Sequence, residues 1–116
     1  MQKLTKKQIL RLPEEISRVL QHRFSKSTHF GFYQIENHSD VSRLGLAIPK
    51  RQAKRAIDRN RMKRVIREAF RKSNHLINHD IVVKLQTPIG KQTKRRLRDQ
   101  ERRKIAQQIN HFFQEM

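Results

Sequence analysis

The run Arg59-Asn60-Arg61-Met62-Lys63-Arg64-Val65-Ile66-Arg67-Glu68-Ala69-Phe70-Arg71 is the part of this chain best equipped for chemistry, and that chemistry is phosphate binding. At about 100° of rotation per residue, Met62, Val65, Ile66, Ala69 and Phe70 share one arc of a helix. Asn60, Arg64, Arg67 and Arg71 share the opposite arc, with Arg59, Arg61, Lys63 and Lys72 on its flanks. Guanidinium groups stacked along a helix present paired N–H donors to phosphate oxygens. Glu68 is the one acid among the cations from Arg59 to Lys72, whereas a merely solvated face mixes signs to limit self-repulsion.

Residues that would break a phosphodiester bond are sparse. Hydrolysis by side chains needs carboxylates converging on metal ions, or a histidine base with a partner. The closest acid pairs are Glu14 with Glu15 and Asp99 with Glu101. His75 and His79 stand at a spacing that suits a metal on a helix, but they flank a loop and have no clear third ligand beyond Asp80. The glycines are Gly31, Gly45 and Gly90, so no glycine-rich phosphate loop exists. The expectation is a binder with no catalytic residue and no metal site of its own.

Composition agrees. Lys and Arg number 28 against 10 Asp and Glu, a formal charge of +18 on 116 residues. Such a field opposes folding by self-repulsion, and a polyanionic partner explains it. Nucleic acid comes first; a membrane is not expected, because no apolar run approaches the roughly 18 residues of a span and no signal-peptide core is present. Without cysteine there is no disulfide framework and no thiolate zinc site, which fits a cytoplasmic location. The length suggests one domain over 1–116.

The elements that must carry the basic helix follow from periodicity. The first dozen residues read as an irregular basic arm in which Thr5 and Gln8 can form a weak capping box. Pro13, Glu14 and Glu15 open a helix over about 13–22, with Ile16, Val19 and Leu20 at helical spacing. His22 to Lys26 suggests a short strand. Phe30, Phe32 and Gln34 alternate with Gly31, Tyr33 and Ile35, a strand apolar on both faces. Asn37 to Asp40 is a turn, and Leu44, Leu46 and Ile48 read as the second strand of the same hairpin. Its other face carries the small Gly45 and Ala47, leaving room for a close approach. Lys50, Arg51, Lys54 and Arg55 lead into the basic helix, with Asp58 as its expected N-cap. Ser73 to His79 is a connection, Ile81, Val83 and Leu85 mark another strand, and Ile105, Ile109, Phe112 and Phe113 mark a last helix. Residues 91–104 are almost purely basic. The order αβββαβα gives an α+β sandwich.

A helix-turn-helix is disfavoured because the basic helix lies between two strand patterns. An aromatic stacking platform would use exposed rings on central strands; Tyr33 reads equally as a core-edge tyrosine or a base-stacking one.

From about Ile16 to Phe113 the chain resembles the protein component of bacterial ribonuclease P. The specific part is Gly45-Leu46-Ala47-Ile48-Pro49-Lys50-Arg51, then Arg59-Asn60-Arg61, Lys63-Arg64, Arg67-Glu68 and Phe70-Arg71. The resemblance implies a ribosomal-protein-S5-domain-2-like sandwich with the basic helix in a left-handed crossover between parallel strands, an exception to the usual hand. It implies a protein subunit that assists a catalytic RNA in the endonucleolytic removal of the 5′ leader from precursor tRNA. The RNA would perform hydrolysis with bound magnesium ions, and the protein would hold no cofactor. The implied RNA-binding set is Lys50, Arg51, Lys54, Arg55, Arg59, Asn60, Arg61, Lys63, Arg64, Arg67 and Arg71. A leader cleft between the first helix and the sheet would use Ile16, Val19, Leu20, Phe30, Phe32 and Tyr33. Family members often carry phenylalanine where this chain has Ile16 and Leu20, and the 91–104 stretch is longer than usual. The alternative is a ribosomal or ribosome-assembly protein that binds structured RNA.

Clustered cations give a first prediction. Sulfate should bind the folded state and relieve repulsion that the expanded chain feels less. Thermal melts at matched ionic strength should therefore show a higher midpoint in sulfate than in chloride; equal midpoints would mean the cations are too dispersed to form an anion site.

Overall fold

The structure, a computed structural model, describes residues 5–73 and 78–115. After a 3-10 turn at Lys6–Gln8 come α1 (Pro13–Val19), β1 (Arg23–Lys26), β2 (Phe30–Glu36), β3 (Arg43–Ala47), α2 (Ala56–Lys72), β4 (His79–Leu85) and α3 (Asp99–Glu115). The expected element order holds. The first helix stops at Val19, three residues short of the expected end, because the chain turns through Gln21 and His22 to enter β1.

The sheet order is β1-β2-β4-β3, with β2 antiparallel and β3 parallel to β4. The expected hairpin between the second and third strands is therefore corrected: β4 lies between them, and β2 forms its hairpin with β1. The physical reason lies in β4, where Ile81, Val82 and Val83 are all fully buried. A strand apolar on both faces belongs in the centre, covered on each side. The six residues 37–42 then need to span two strand spacings, about 10 Å, which is within their reach.

The two faces of the sheet bury different sets. Phe30, Phe32, Leu44, Ile81, Val83 and Leu85 pack against Met62, Ile66 and Phe70 of α2 and Ile105, Ile109, Phe112 and Phe113 of α3. Phe32 stacks on Phe112 with centroids 4.0 Å apart. Tyr33 and Val82 face the other way, against Leu10 and Val19, with Ile16, Leu20 and Ala47 alongside.

From Thr5 onward the chain has defined structure where an irregular basic arm is expected. The Gln8 side chain caps the Thr5 N–H at 3.2 Å, Ile9 bridges in parallel to Leu44, and the Leu10 N–H bonds the Leu44 carbonyl at 2.9 Å. This covers the otherwise open edge of β3. It also answers what approaches the small face of that strand: a Cβ on Gly45 would lie 3.2 Å from Leu10 Cβ and 3.4 Å from Ile16 Cγ1. The chain itself fills the room.

Helix α3 is also docked by polar bonds made from within its apolar stripe, between Ile105 and Ile109. Gln108 Oε1 accepts the Ser27 hydroxyl at 2.6 Å and the His29 N–H at 2.9 Å. Its amide nitrogen must then donate to His29 Nδ1, 2.8 Å away. That fixes the imidazole proton on Nε2, 3.1 Å from Glu101.

One buried carboxylate joins four segments. Asp80 is fully buried and accepts both Nε and Nη2 of Arg43, at 2.8 and 2.6 Å. Asn37 donates to it at 2.7 Å and Arg18 of α1 at 3.3 Å. Arg43 reaches on to Glu15 at 2.9 Å. Burial pushes the Asp80 carboxyl up, but the hydrogen bonds from Arg43 and Asn37 and the nearby guanidinium charges outweigh it and hold the carboxyl below its ordinary range. A depressed folded-state pKa contributes stability above the unfolded value of about 3.9, lost as pH falls through the folded value. Chemical denaturation should thus find this contribution intact from pH 7 to about 4 and lost only below that. Arg43→Ala should cost about 3–5 kcal/mol at neutral pH by stranding the buried carboxylate; a loss under 1 kcal/mol would show that Asn37 and Arg18 suffice.

Candidate nucleic-acid interface

Helix α2 starts at Ala56 with Arg55 as its N-cap residue, so Asp58 is not the cap expected from the sequence. It lies in the first turn, where a negative charge still favours the helix end. Its carboxylate is fully buried and accepts the Leu97 N–H at 3.2 Å, with Arg55 Nε at 3.4 Å. Asp58 stands three residues past the cap, where its carboxylate holds the Leu97 backbone that packs across the helix start.

The two arcs of α2 are as the spacing demands. Met62, Ile66, Ala69 and Phe70 are buried and Val65 is half-buried. Asn60, Arg64 and Arg67 are exposed, with Arg61 and Lys63 half-buried on the flanks. Among the described residues, none of Arg61, Lys63, Arg64 and Arg67 has an ion-pair partner. Lys50, Arg51 and Lys54 are exposed on the segment that enters the helix.

Three of the expected contacts are turned to internal use. The Arg59 guanidinium donates to the carbonyls of Ala53 and Lys54 at 2.8 and 3.1 Å, bracing the entry loop. Arg55 is tied to Asp58. Arg71 bonds Glu68, which Lys72 also approaches at 3.6 Å. The hydrogen bond from Arg71 is the main reason the Glu68 carboxyl lies below its ordinary range. The free cationic row is therefore shorter than the sequence suggests, running from Asn60 to Arg67 with Arg61 and Lys63 beside it. On one side Lys63 and Arg67 meet Ile9, Arg11, Leu44 and Leu46 around a groove of about 260 Å³.

The sheet face under α1 offers a second surface. Strand register places Lys26, Gly31, Lys84 and Ala47 in one row across the four strands, so their side chains share a face. The next row holds Tyr33, Val82 and Gly45, which α1 and Leu10 cover. Of the six residues expected in the cleft, Val19 is fully buried and Ile16 and Leu20 are half-buried along its border. Tyr33 is 7% exposed, and its hydroxyl accepts the Gln86 amide. Phe30 and Phe32 are corrected: they point to the opposite face and are sealed in the core with α2 and α3, because alternation along β2 sends them away from Tyr33. Lys26, Lys84 and Gln86 escaped the sequence reading. The available signal was Lys84, the lone cation in the apolar run of β4.

Metal chemistry has little to work with. Among the described residues no three His, Asp or Glu side chains group to hold an ion. His75 lies outside the described residues, and Asp80 is committed to Arg43. No helix of the described chain is long and apolar enough to cross a membrane.

Comparison with known proteins agrees with this geometry. Residues 4–111 match the Ribonuclease P family. The chain is 40% identical over 102 residues to the ribonuclease P protein component of Vibrio vulnificus (strain YJ016), a match covering 85% of this chain and 81% of that one. Over 74 residues it is 49% identical to the corresponding protein of Vibrio parahaemolyticus, covering 61% and 62%. Among solved structures, the Staphylococcus aureus RNase P protein superimposes with a TM-score of 0.68 at 23% identity, covering 93% of this chain and 90% of that one. The Thermotoga maritima protein gives 0.63 at 25% identity, covering 88% and 94%. The match along nearly the whole chain, the mixed α+β fold and the arginine-rich crossover helix converge: this protein belongs to the ribonuclease P protein family.

Proposed function

We propose that this chain is the protein component of a ribonuclease P holoenzyme, binding a catalytic RNA subunit and assisting removal of the 5′ leader from precursor tRNA. The observation that carries the reading is the row Asn60, Arg64 and Arg67 on α2, exposed, aligned and without an acidic partner among the described residues. Cations that the chain's own carboxylates leave alone are available for phosphate. The alternative of a ribosome-assembly protein loses its support, since the family match runs over residues 4–111.

The leader would lie on the sheet face beside α1. The Gln86 side chain already lies over Gly31, so the approach is beside Ala47, where Lys26 and Lys84 answer the leader's phosphates and Ile16, Leu20 and Tyr33 border it. Magnesium would belong to the RNA. Every buried or half-buried carboxylate among the described residues has a partner: Asp80 and Glu15 in Arg43, Glu68 in Arg71, Glu101 in Gly90 and His29. Asp58 has Leu97 and Arg55 through one oxygen, its other oxygen standing alone, outside any group of three His, Asp or Glu side chains that could hold an ion. That donor set does not fit a protein-held magnesium ion, and no catalytic step is assigned to these side chains. Their work is electrostatic. Two polyanions must meet, and a cationic protein between them lowers the repulsion that magnesium or salt would otherwise have to screen.

RNA-free protein should leave precursor tRNA intact at any magnesium concentration, and adding it to the RNA subunit should lower the magnesium needed for cleavage. Robust metal-dependent cleavage by protein shown free of RNA would sink this assignment.

The faces of α2 predict a split between binding and stability. Arg64→Ala or Arg67→Ala should weaken RNA binding with the melting midpoint nearly unchanged. Ile66→Ala or Phe70→Ala should destabilise the fold by about 2–5 kcal/mol. The reverse pattern in paired binding and melting measurements would mean that the arcs are exchanged.

A further inference from the structure

Between β4 and α3 stand Lys91, Lys94, Arg95, Arg96 and Arg98, all exposed. Among the described residues none of the five has an ion-pair partner. The nearest acids in sequence are occupied: Asp99 holds Arg102 at 2.7 Å, and Glu101 accepts the Gly90 N–H at 2.8 Å and meets His29 at 3.1 Å. The charge of this loop is uncompensated.

A basic segment of this kind is often a solvated tail, but this one has a built shape. Gly90 sits at φ +68°, and a Cβ there would lie 2.5 Å from backbone atoms of Arg95 and Arg96. Only glycine lets the loop fold back so closely. The Arg95 N–H bonds the Gly90 carbonyl at 2.8 Å, and the Thr93 hydroxyl donates to the Arg96 carbonyl at 2.7 Å. Lys94 and Arg95 hold φ of 53° and 65°, a left-handed backbone that costs a non-glycine residue free energy and persists where its surroundings enforce it.

The loop is also fastened to α2. Leu97 is buried, and its N–H bonds the Asp58 carboxylate in the first turn of that helix at 3.2 Å. The Ile89 N–H bonds the Gln52 carbonyl at 2.9 Å, within the segment that carries Lys50, Arg51 and Lys54. The backbones that carry the cations of the loop, the entry segment and α2 are thereby tied together, and the cost of ordering that backbone is met before any ligand arrives.

We propose that the 91–98 loop is a second phosphate-binding surface for the catalytic RNA subunit, continuing the α2 contact around the entry segment. The inference rests on the reading of α2 as the contact with that RNA. A membrane occupant is disfavoured because residues 91–96 carry no apolar side chain to insert. Precursor tRNA is disfavoured because the leader surface lies on the α1 face of the sheet, whereas the loop is anchored to α2.

The test uses the double variant Lys94→Gly/Arg95→Gly in the full chain. It removes two charges, and glycine suits the left-handed backbone, so the melting midpoint should hold or rise. Affinity for the RNA subunit is measured across a salt series, beside the parent and Arg64→Ala/Arg67→Ala. Two lost phosphate contacts should flatten the log–log salt slope by about 1.4–1.8 and weaken binding roughly 25- to 60-fold at 0.1 M salt. Parental affinity and slope in the loop variant, with the helix variant weakened, would overturn the loop and leave α2 standing. Parental binding by both variants would overturn the α2 reading and the loop with it. Unchanged RNA-subunit affinity with a raised KM for precursor tRNA would assign the loop to substrate and overturn the proposal.

Discussion

A chain with a net charge of +18 cannot gather itself on apolar contacts alone, and the Asp80 carboxylate is where its repulsion is turned into cohesion. Buried in the central strand, it draws Arg43 from β3, Arg18 from α1 and Asn37 from the β2–β3 connection to one point. Such a group is costly to bury unless fully bonded, and here both oxygens are bonded. The cluster fixes the parallel register of β3 on β4, the seat of α1 on the sheet, and the path of a connection that must pass the end of an intervening strand. Asp58 plays a smaller version of the same part, drawing the Leu97 backbone and Arg55 to the start of α2.

The sheet separates two kinds of surface. One face is closed by α2 and α3 over a core of aromatic and branched side chains, and the helix that closes it turns its other arc to solvent as the cationic row. The other face is only partly covered, by the short α1 and Leu10, leaving a strip with small residues and two lysines. Each layer that buries apolar area also orients charge outward, so the interface costs little additional scaffold.

Selection among the arginines follows from which carboxylates and carbonyls they can reach. Arg59, Arg55 and Arg71 find internal acceptors and become part of the frame. Arg64 and Arg67 find none among the described residues and remain for a ligand. Residue type gives all five the same capacity, and distance to an acceptor divides them.

Much of this was legible in the residues themselves. The arcs of α2, the alternation along β2 and β4 and the late apolar stripe of α3 are local properties, because a helix turns about 100° per residue and a strand about 180°. So are the excess of cations and the lack of converging acids. What needed the tertiary structure was every question of partner. Alternation says that Phe32 and Tyr33 face opposite ways, but both faces of β2 are apolar, so only packing tells which meets α3 and which meets α1. A turn at Asn37–Asp40 reads the same whether the next strand pairs with β2 or crosses beyond β4. Gly45 marks a close approach, yet its neighbours Leu10 and Ile16 come from a distant part of the chain. Periodicity settles which residues share a face and what charge that face carries. What each face meets depends on packing, because burial and ion pairing arise between segments far apart along the chain, where local periodicity has nothing to say.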